Sequence, residues 1–189
     1  MADQKATAGA VLFAVAALAA ASPCAAADFT LTSPTIRSDA ALPQKHLLDG
    51  FGCTGDNLSP ALSWAAPPAG TRSYALSLYD SDAPTGSGWW HWVVFDLPAT
   101  ATGLPEGAGS SATGGLPAGA VQSRTDFGSP GYGGPCPPEG DRPHRYVFTL
   151  TALAVDSLPL DQQASGAMVG FFVRQNAIAS TSLTVVFGR

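Results

Sequence analysis

The sequence contains few charged side chains and no run of basic ones. Asp, Glu, Lys and Arg together make up 12% of the 189 residues, and the formal net charge is −5. Proteins that bind nucleic acid or anionic membrane surfaces need clusters of Lys and Arg, because these side chains pair with phosphate groups. The composition therefore argues against nucleic acid and against an anionic membrane surface as partners.

The sequence also lacks one metal-binding motif and one catalytic motif. It contains no C-x-x-C pair of the kind that binds zinc. It contains no G-x-S-x-G motif of the kind that carries the nucleophile of α/β-hydrolases. Because 46% of the residues are hydrophobic, the chain can form a buried core, and its length predicts one domain.

The N-terminus is typical of a secretory signal peptide. Lys5 supplies a positive charge, residues 10–21 are apolar and rich in Ala, and residues 25–27 form a small-x-small cleavage site. We therefore predict that residues 1–27 are removed and that residues 28–189 form the mature domain. The mature protein is then expected in the periplasm or the medium, without a transmembrane anchor.

Two alternatives exist for this segment. An uncleaved membrane anchor is one, although the apolar run is too short to span a bilayer comfortably. A lipoprotein attached through Cys24 is the other, although Pro23 directly before that cysteine fits a lipoprotein signal poorly.

Cleavage would leave two cysteines, Cys53 and Cys136. An even number of cysteines in an exported protein favours a disulfide. We predict that the two residues are bonded to each other, and the alternative is a pair of buried free thiols.

The pattern of apolar runs and turn residues predicts a mainly β domain. Alternating or apolar segments bounded by Gly, Pro and Asp are expected to form strands. The predicted strands are residues 28–33, 61–64, 74–79, 90–95, 145–155 and 183–187. Helical spacing of apolar residues predicts one helix over residues 161–179. Many short strands with Gly/Pro-rich connections favour two packed antiparallel sheets, an antiparallel β-sandwich.

Two segments of similar form predict a composite pocket. The first carries Asp80, Asp82 and Pro84 after one strand and delivers His91 at the mouth of the next. The second is the Gly/Pro loop 133–138, followed by His144 and Tyr146 at the start of a strand. An Asp beside a His fixes the tautomer and favours the imidazolium, which can hold an anion. One Asp must then face inward as an acceptor, and the other can accept from an ammonium group.

These residues resemble the phosphatidylethanolamine-binding protein family, in particular its bacterial Raf kinase inhibitor-like branch. The resemblance rests on D-S-D-A-P at 80–84, W-H-W at 90–92, G-P-C-P-P at 134–138 and H-R-Y at 144–146. It covers residues 28–189. It implies a β-sandwich with a few peripheral helices, and a cis peptide bond between Ala83 and Pro84.

The resemblance also implies a function. In the family, the positions matching Asp80, Pro84, His91, His144 and Tyr146 line a pocket for phosphate-containing head groups. The full predicted ligand-binding set is Asp80, Asp82, Pro84, Trp90, His91, Gly134, Cys136, His144 and Tyr146. The predicted ligand is phosphate, a phosphomonoester or a phospholipid head group, and the family also implies regulation or inhibition of a partner protein.

Other interpretations compete with this one. Asp80 and Asp82 could cap a tight turn while the histidines fill polar gaps. Two Asp and two His could instead support a metal-dependent or His-dependent hydrolase of small phosphoesters, although their spacing is not that of a metal site. The preferred prediction is a non-enzymatic binding protein without cofactor or metal, either monomeric or a homodimer. His46, which has no visible partner, is expected at the surface.

Overall fold

The structure, a computed structural model, describes Met1, residues 28–110 and residues 115–189. This part of the chain contains ten β-strands and one α-helix, so the predicted mainly β class is confirmed. The strands are β1 (Thr30–Thr32), β2 (Asp49–Gly50), β3 (Cys53–Thr54), β4 (Leu62–Ala65), β5 (Ser73–Asp80), β6 (Trp89–Pro98), β7 (Gly103–Leu104), β8 (Val121–Gln122), β9 (His144–Leu153) and β10 (Ala177–Phe187). The helix α1 spans Gly166–Asn176, and a 3-10 helix spans Gln44–His46.

The strands form two antiparallel sheets and a small hairpin. The larger sheet has the order β10-β9-β5-β6-β8, and the smaller has the order β1-β4-β7. Strands β2 and β3 pair with each other as the hairpin. Both sheets remain open, and they pack face to face as the predicted sandwich.

The main hydrophobic core lies between the two sheets. Strand β9 shows why, because alternate side chains of a strand point to opposite faces. Its Tyr146, Phe148 and Leu150 are buried and face this core, whereas Val147 and Thr149 between them are partly exposed. The smaller sheet contributes Leu31, Leu62, Trp64 and Leu104 to the same core.

The helix covers the other face of the larger sheet. Val169 of α1 packs with Val93 and Phe95 of β6 in a second apolar cluster. Because both of their faces are covered, the central strands β5 and β6 are buried at most positions, and most of their residues are apolar.

The helix is shorter than the sequence predicted. Residues 161–164 form a turn in which the amide of Gln163 donates to Oδ1 of Asp161. The helix then begins after Ser165, whose hydroxyl accepts a hydrogen bond from the amide of Met168, as an N-cap does. At its other end the chain enters β10 directly at Ala177, so the last strand begins six residues before the predicted start at Leu183.

The prediction of a signal peptide falls on residues outside the described part of the chain, apart from Met1. No helix among the described residues is both long and apolar enough to cross a membrane.

Candidate functional site

A cavity of about 200 Å³ lies at one end of the larger sheet. Strand β5 ends there at Asp80, β6 starts there at Trp89, and β9 starts there at His144. Six predicted ligand-binding residues line this cavity: Asp80, Pro84, His91, Cys136, His144 and Tyr146. The antiparallel pairing of β5 with β9 brings Asp80 opposite Tyr146, which explains how distant segments meet.

Asp80 and His144 form a buried pair in the wall of the cavity. The Nδ1–H of His144 donates to Oδ2 of Asp80 over 2.7 Å, and only 3% of either side chain is exposed. Nε2 of the same ring lies 3.5 Å from the carboxylate of Asp141, whose side chain is 41% exposed. The imidazole of His144 is therefore placed between one buried and one exposed carboxylate.

Asp80 also holds the turn that follows β5. Its Oδ1 accepts hydrogen bonds from the amides of Asp82 (2.8 Å) and Ala83 (3.1 Å). The turn is thus closed by a side chain, as in other Asp-initiated turns. The prediction of a cis peptide bond between Ala83 and Pro84 is wrong, since the described residues contain no cis peptide bond. The side-chain hydrogen bonds allow the chain to reverse with trans geometry throughout.

Asp82 points away from the cavity and clamps the turn to β9. Arg145 donates to its carboxylate through Nε and Nη2, each over 2.9 Å, and also through its backbone amide. Arg142 adds a further contact of 2.9 Å. The hydrogen bonds from Arg145 hold the pKa of Asp82 well below its usual range. Because the carboxylate is already paired with two guanidinium groups, an ammonium group of a ligand would have to displace them.

His91 presents a neutral ring to the cavity. Its Nδ1–H donates to the carbonyl oxygen of Gly133 over 2.8 Å, so Nε2 is the nitrogen left for a ligand. Burial lowers the pKa of His91 from 6.5 to about 4, because desolvation outweighs the hydrogen bond to Gly133 and the charge of Asp80. The sequence left open whether His91 or His144 carries the charge, and the lowered pKa of His91 argues against His91 in the unliganded site. At neutral pH its Nε2 is a hydrogen-bond acceptor.

Two further polar groups belong to the cavity wall. Tyr146 is buried between the rings of His91 and His144, at centroid distances of 5.2 and 6.2 Å. Burial, together with the charge of Asp80, raises the pKa of Tyr146 far above its usual range, so its hydroxyl stays protonated. The indole Nε1–H of Trp89 is buried and has no hydrogen-bond partner among the described residues. Unpaired buried donors are rare, because the loss of water is not compensated.

The rim of the cavity contains two aromatic rings and a disulfide bond. Phe51 is 72% exposed and stacks on Phe127 at a centroid distance of 6.1 Å. The predicted disulfide between Cys53 and Cys136 is present, with Cα atoms 6.0 Å apart. Arg189 also closes the rim. Its guanidinium donates to the carbonyl oxygens of residues 51 and 52 and of residue 137.

Three predicted site residues lie outside the cavity wall. Asp82 forms the arginine clamp just described. Trp90 lies on the helix side of the sheet, against the ring of Tyr79 and against Gly166 of α1. Gly134 lies behind the wall, where its amide donates to Oδ1 of Asn57.

The predicted ligand-binding set omitted several wall residues, namely Leu48, Phe51, Thr85, Trp89 and Phe127, although the sequence allowed Trp89 as core or pocket wall. Leu48 and Phe51 come from a segment far from the two loops, and no local motif marks them. The position of Trp89, two residues before His91 on a strand, was the one available signal, because alternate residues share a face.

The predicted position of His46 was also wrong. It was expected at the surface, but its side chain is fully buried, and Nδ1 lies 2.6 Å from the carbonyl oxygen of Leu58. Burial lowers the pKa of His46. Its backbone carbonyl also accepts from the hydroxyl of Tyr132 over 2.8 Å. The residue therefore anchors the segment that carries Leu48 into the cavity wall.

Fold and site together define an antiparallel β-sandwich with a histidine-lined cavity at the end of its larger sheet. The family model described as phosphatidylethanolamine-binding protein matches residues 32–188. The chain therefore belongs to the phosphatidylethanolamine-binding protein family.

Individual relatives agree with this assignment. UPF0098 protein YbcL of Escherichia coli (strain K12) is 50% identical over 162 residues, covering 86% of this chain and 88% of YbcL. The crystal structure of E. coli YbcL, described as a new member of the mammalian PEBP family, matches with a TM-score of 0.84 over 86% of this chain and 99% of that chain. UPF0098 protein YbhB of the same organism is 50% identical over 157 residues, 83% of this chain and 98% of YbhB. The putative lipoprotein LppC of Mycobacterium tuberculosis (strain ATCC 25618 / H37Rv) is 37% identical over 169 residues, 89% of this chain and 77% of LppC.

Proposed function

We propose that this protein binds a small phosphate-bearing ligand in the cavity at the end of the larger sheet. The observation that carries the proposal is the buried pair of Asp80 and His144 in the wall of this cavity. Tyr146 adds a protonated hydroxyl. A phosphate group offers several strong acceptor oxygens, which suit donors such as the His144 imidazolium and the Tyr146 hydroxyl.

His144 is the group best placed to carry positive charge toward the ligand. In its imidazolium form both ring nitrogens donate, Nδ1 to Asp80 and Nε2 in the direction of Asp141. The Nε2 contact is long, at 3.5 Å, and its partner is exposed. A phosphate oxygen can replace Asp141 at Nε2, whereas the buried contact to Asp80 stays in place.

His91 selects the protonation state of the ligand. Its neutral ring offers an acceptor at Nε2, and an acceptor repels a fully ionised phosphate oxygen. A phosphomonoester that keeps one proton can donate its P–O–H to this nitrogen. Since the second pKa of such an ester lies near 6, we expect tighter binding of the monoanion than of the dianion. The carboxylate of Asp80 favours the same choice, because a lower ligand charge reduces repulsion.

No observation favours the hydrolase alternative. Ser81 and Ser87, the serines nearest to His91 in sequence, do not line the cavity. Within residues 28–110 and 115–189, no group of three or more His, Cys, Asp or Glu side chains is placed to hold a metal ion. A binding role needs only the groups already described.

Calorimetric titration of the mature domain with inorganic phosphate and with sulfate tests the proposal. Phosphate should bind at pH 6 and more weakly at pH 8, and sulfate should bind about tenfold more weakly than phosphate at pH 6, because it has no proton to donate. Exposed Asp156, paired with Arg72 away from the site, provides the control variant Asp156→Asn. Absence of saturable phosphate binding would refute the proposal. Release of product from p-nitrophenyl phosphate, with or without chelator, would support the hydrolase alternative instead.

We also propose that the protein is exported, on the strength of its N-terminal sequence and of the disulfide. One relative is named a putative lipoprotein, which makes lipid attachment at Cys24 the competing outcome. Intact-mass measurement of the native protein separates these outcomes, since cleavage before Asp28 and an acylated Cys24 give different masses. Regulation of a partner protein stays a prediction from the family, and affinity capture with and without phosphate addresses it.

A further inference from the structure

A second cavity, of about 210 Å³, lies beside the first. The two share Leu48 and Phe127 as wall residues. The rest of the second cavity is formed by Asn57, Thr125 and the loop of residues 129–133. The proposed phosphate site uses the residues of the first cavity and gives no role to the second.

Phe127 is the partition between the two cavities. Its ring lies 5.4 Å from the ring of His91 in the first cavity, measured between centroids. On its other side the ring lies against Gly133, where an added Cβ would come within 2.2 Å of it. The carbonyl oxygen of Gly133 accepts the Nδ1–H of His91. One aromatic ring and one hydrogen-bonded backbone segment therefore separate the two spaces.

The partition ends at the protein surface. Phe127 is half-buried, while Gly128 and Ser129, which follow it, are exposed. These residues form a tight turn in which the amide of Gly128 donates to the carbonyl oxygen of Thr125 over 3.0 Å. The two cavities are therefore neighbours at the surface, on either side of a half-buried ring.

The wall of the second cavity combines polar and apolar residues. Asn57 is fixed by two hydrogen bonds, from Nδ2 to the carbonyl oxygen of Tyr132 and from the amide of Gly134 to Oδ1. Each of these side-chain atoms retains capacity for a second hydrogen bond. Among the described residues that line this cavity none is charged. Such a wall suits hydroxyl groups better than an acyl chain or a second ionic group.

We propose that the two cavities form one bipartite site for a phosphomonoester of a small polyol. The first cavity takes the phosphate, and the second takes the hydroxylated carbons esterified to it, with the ester crossing Phe127. This inference rests on the proposed phosphate binding and extends it to the class of ligand.

Calorimetry of the mature domain with three ligands tests the inference: inorganic phosphate, glycerol 3-phosphate and propyl phosphate. Glycerol 3-phosphate should bind about tenfold more tightly than phosphate, the gain from one or two hydrogen bonds, and propyl phosphate should lack this gain. The variant Ser129→Phe adds a bulky side chain at the wall of the second cavity and should abolish the gain. Ser157→Phe, at an exposed serine that lines neither cavity, is the matched control and should behave as wild type.

The outcomes separate the two proposals. If phosphate itself fails to bind, both are wrong. If phosphate binds but glycerol 3-phosphate shows no gain, or shows a gain that survives Ser129→Phe, the bipartite site alone is overturned. Equal binding of propyl phosphate would overturn the polyol class. Sedimentation with phosphatidylglycerol vesicles, if lost in Ser129→Phe, would assign the site to a lipid head group and overturn the soluble ester.

Discussion

Asp80 and His144, 64 residues apart in sequence, are joined by a hydrogen bond of 2.7 Å that is almost fully shielded from water. The same carboxylate closes the turn after β5 through two backbone amides. One side chain thus fixes both the course of the turn and the tautomer of the histidine. The outer nitrogen of that histidine faces a second carboxylate, Asp141, which is exposed and more weakly engaged.

Substitutions at these two carboxylates should have opposite effects on phosphate affinity. Asp80→Asn removes the counter-charge of His144, and we expect the Kd to rise about tenfold or more, the range for a charge-assisted hydrogen bond. Asp141→Asn removes a competitor for Nε2 and should lower the Kd severalfold. Titration calorimetry at pH 6 measures both. A lower Kd for Asp80→Asn would show that repulsion between carboxylate and ligand dominates.

Stability should fall on acidification from neutral pH. The pKa of His91 is about 4 in the folded protein, against an ordinary value of 6.5, so the unfolded chain takes up the proton first as pH falls. Between pH 7 and pH 4.5 the free energy of unfolding should fall by roughly 2 kcal/mol, at about 1.4 kcal/mol per pKa unit. His46, whose pKa is also lowered, acts in the same direction. Urea unfolding at both pH values should show a smaller difference for His91→Gln than for wild type.

Opening the disulfide should weaken both the fold and the binding site. The bond closes a loop with a sequence separation of 83, for which the chain-entropy relation gives about 4–5 kcal/mol as an upper figure. Cys53→Ser with Cys136→Ser should lower the free energy of unfolding by up to that amount and raise the phosphate Kd, because the rim then needs ordering. An unchanged Kd in the folded double variant would show that the bond is purely structural.

Gly134 should tolerate no side chain. An added Cβ would come within 2.4–2.5 Å of backbone atoms of residues 46–48, and backbone cannot move aside cheaply. We expect Gly134→Ala to destabilise the protein by about 1–3 kcal/mol, as overpacking does. Gly170→Ala in α1 is the matched control, because an added Cβ there would lie 3.9 Å from the ring of Trp90, an ordinary contact. This variant should be neutral or stabilising. Equal denaturation midpoints for the two variants would contradict this packing.

The sequence predicted the sheets well because their signal is local. Alternation along β9 marks its buried face residue by residue, and Asp, Gly and Pro mark the ends of strands. The helix was predicted too long because residues 161–164 have helical spacing, whereas the turn at Asp161 and the cap at Ser165 decide the start. Competition between a side chain and the backbone for the same amide is not visible in apolar periodicity.

The site was predicted in part for the same reason. Asp80, His91 and His144 lie at strand ends, where the motifs themselves give their positions. Their charge states depend on burial, which the sequence does not give, so the sequence left open whether His91 or His144 is the cation. Leu48 and Phe127 lie in the cavity wall because of how their loops pack. Asp82 lies outside the wall because it pairs with Arg145, 63 residues away in sequence.

The rim that Arg189 closes has a consequence for the order of folding. The guanidinium of this residue contacts the carbonyl oxygen of Phe51 across 138 positions of sequence. Contacts of such separation form late, because the intervening chain must first lose its conformational freedom. On a ribosome the strands β5 and β6 can pair while residue 189 is still unmade. We therefore expect the rim of the cavity to form after the pairing of β5 with β6, whose contacts join residues much closer in sequence.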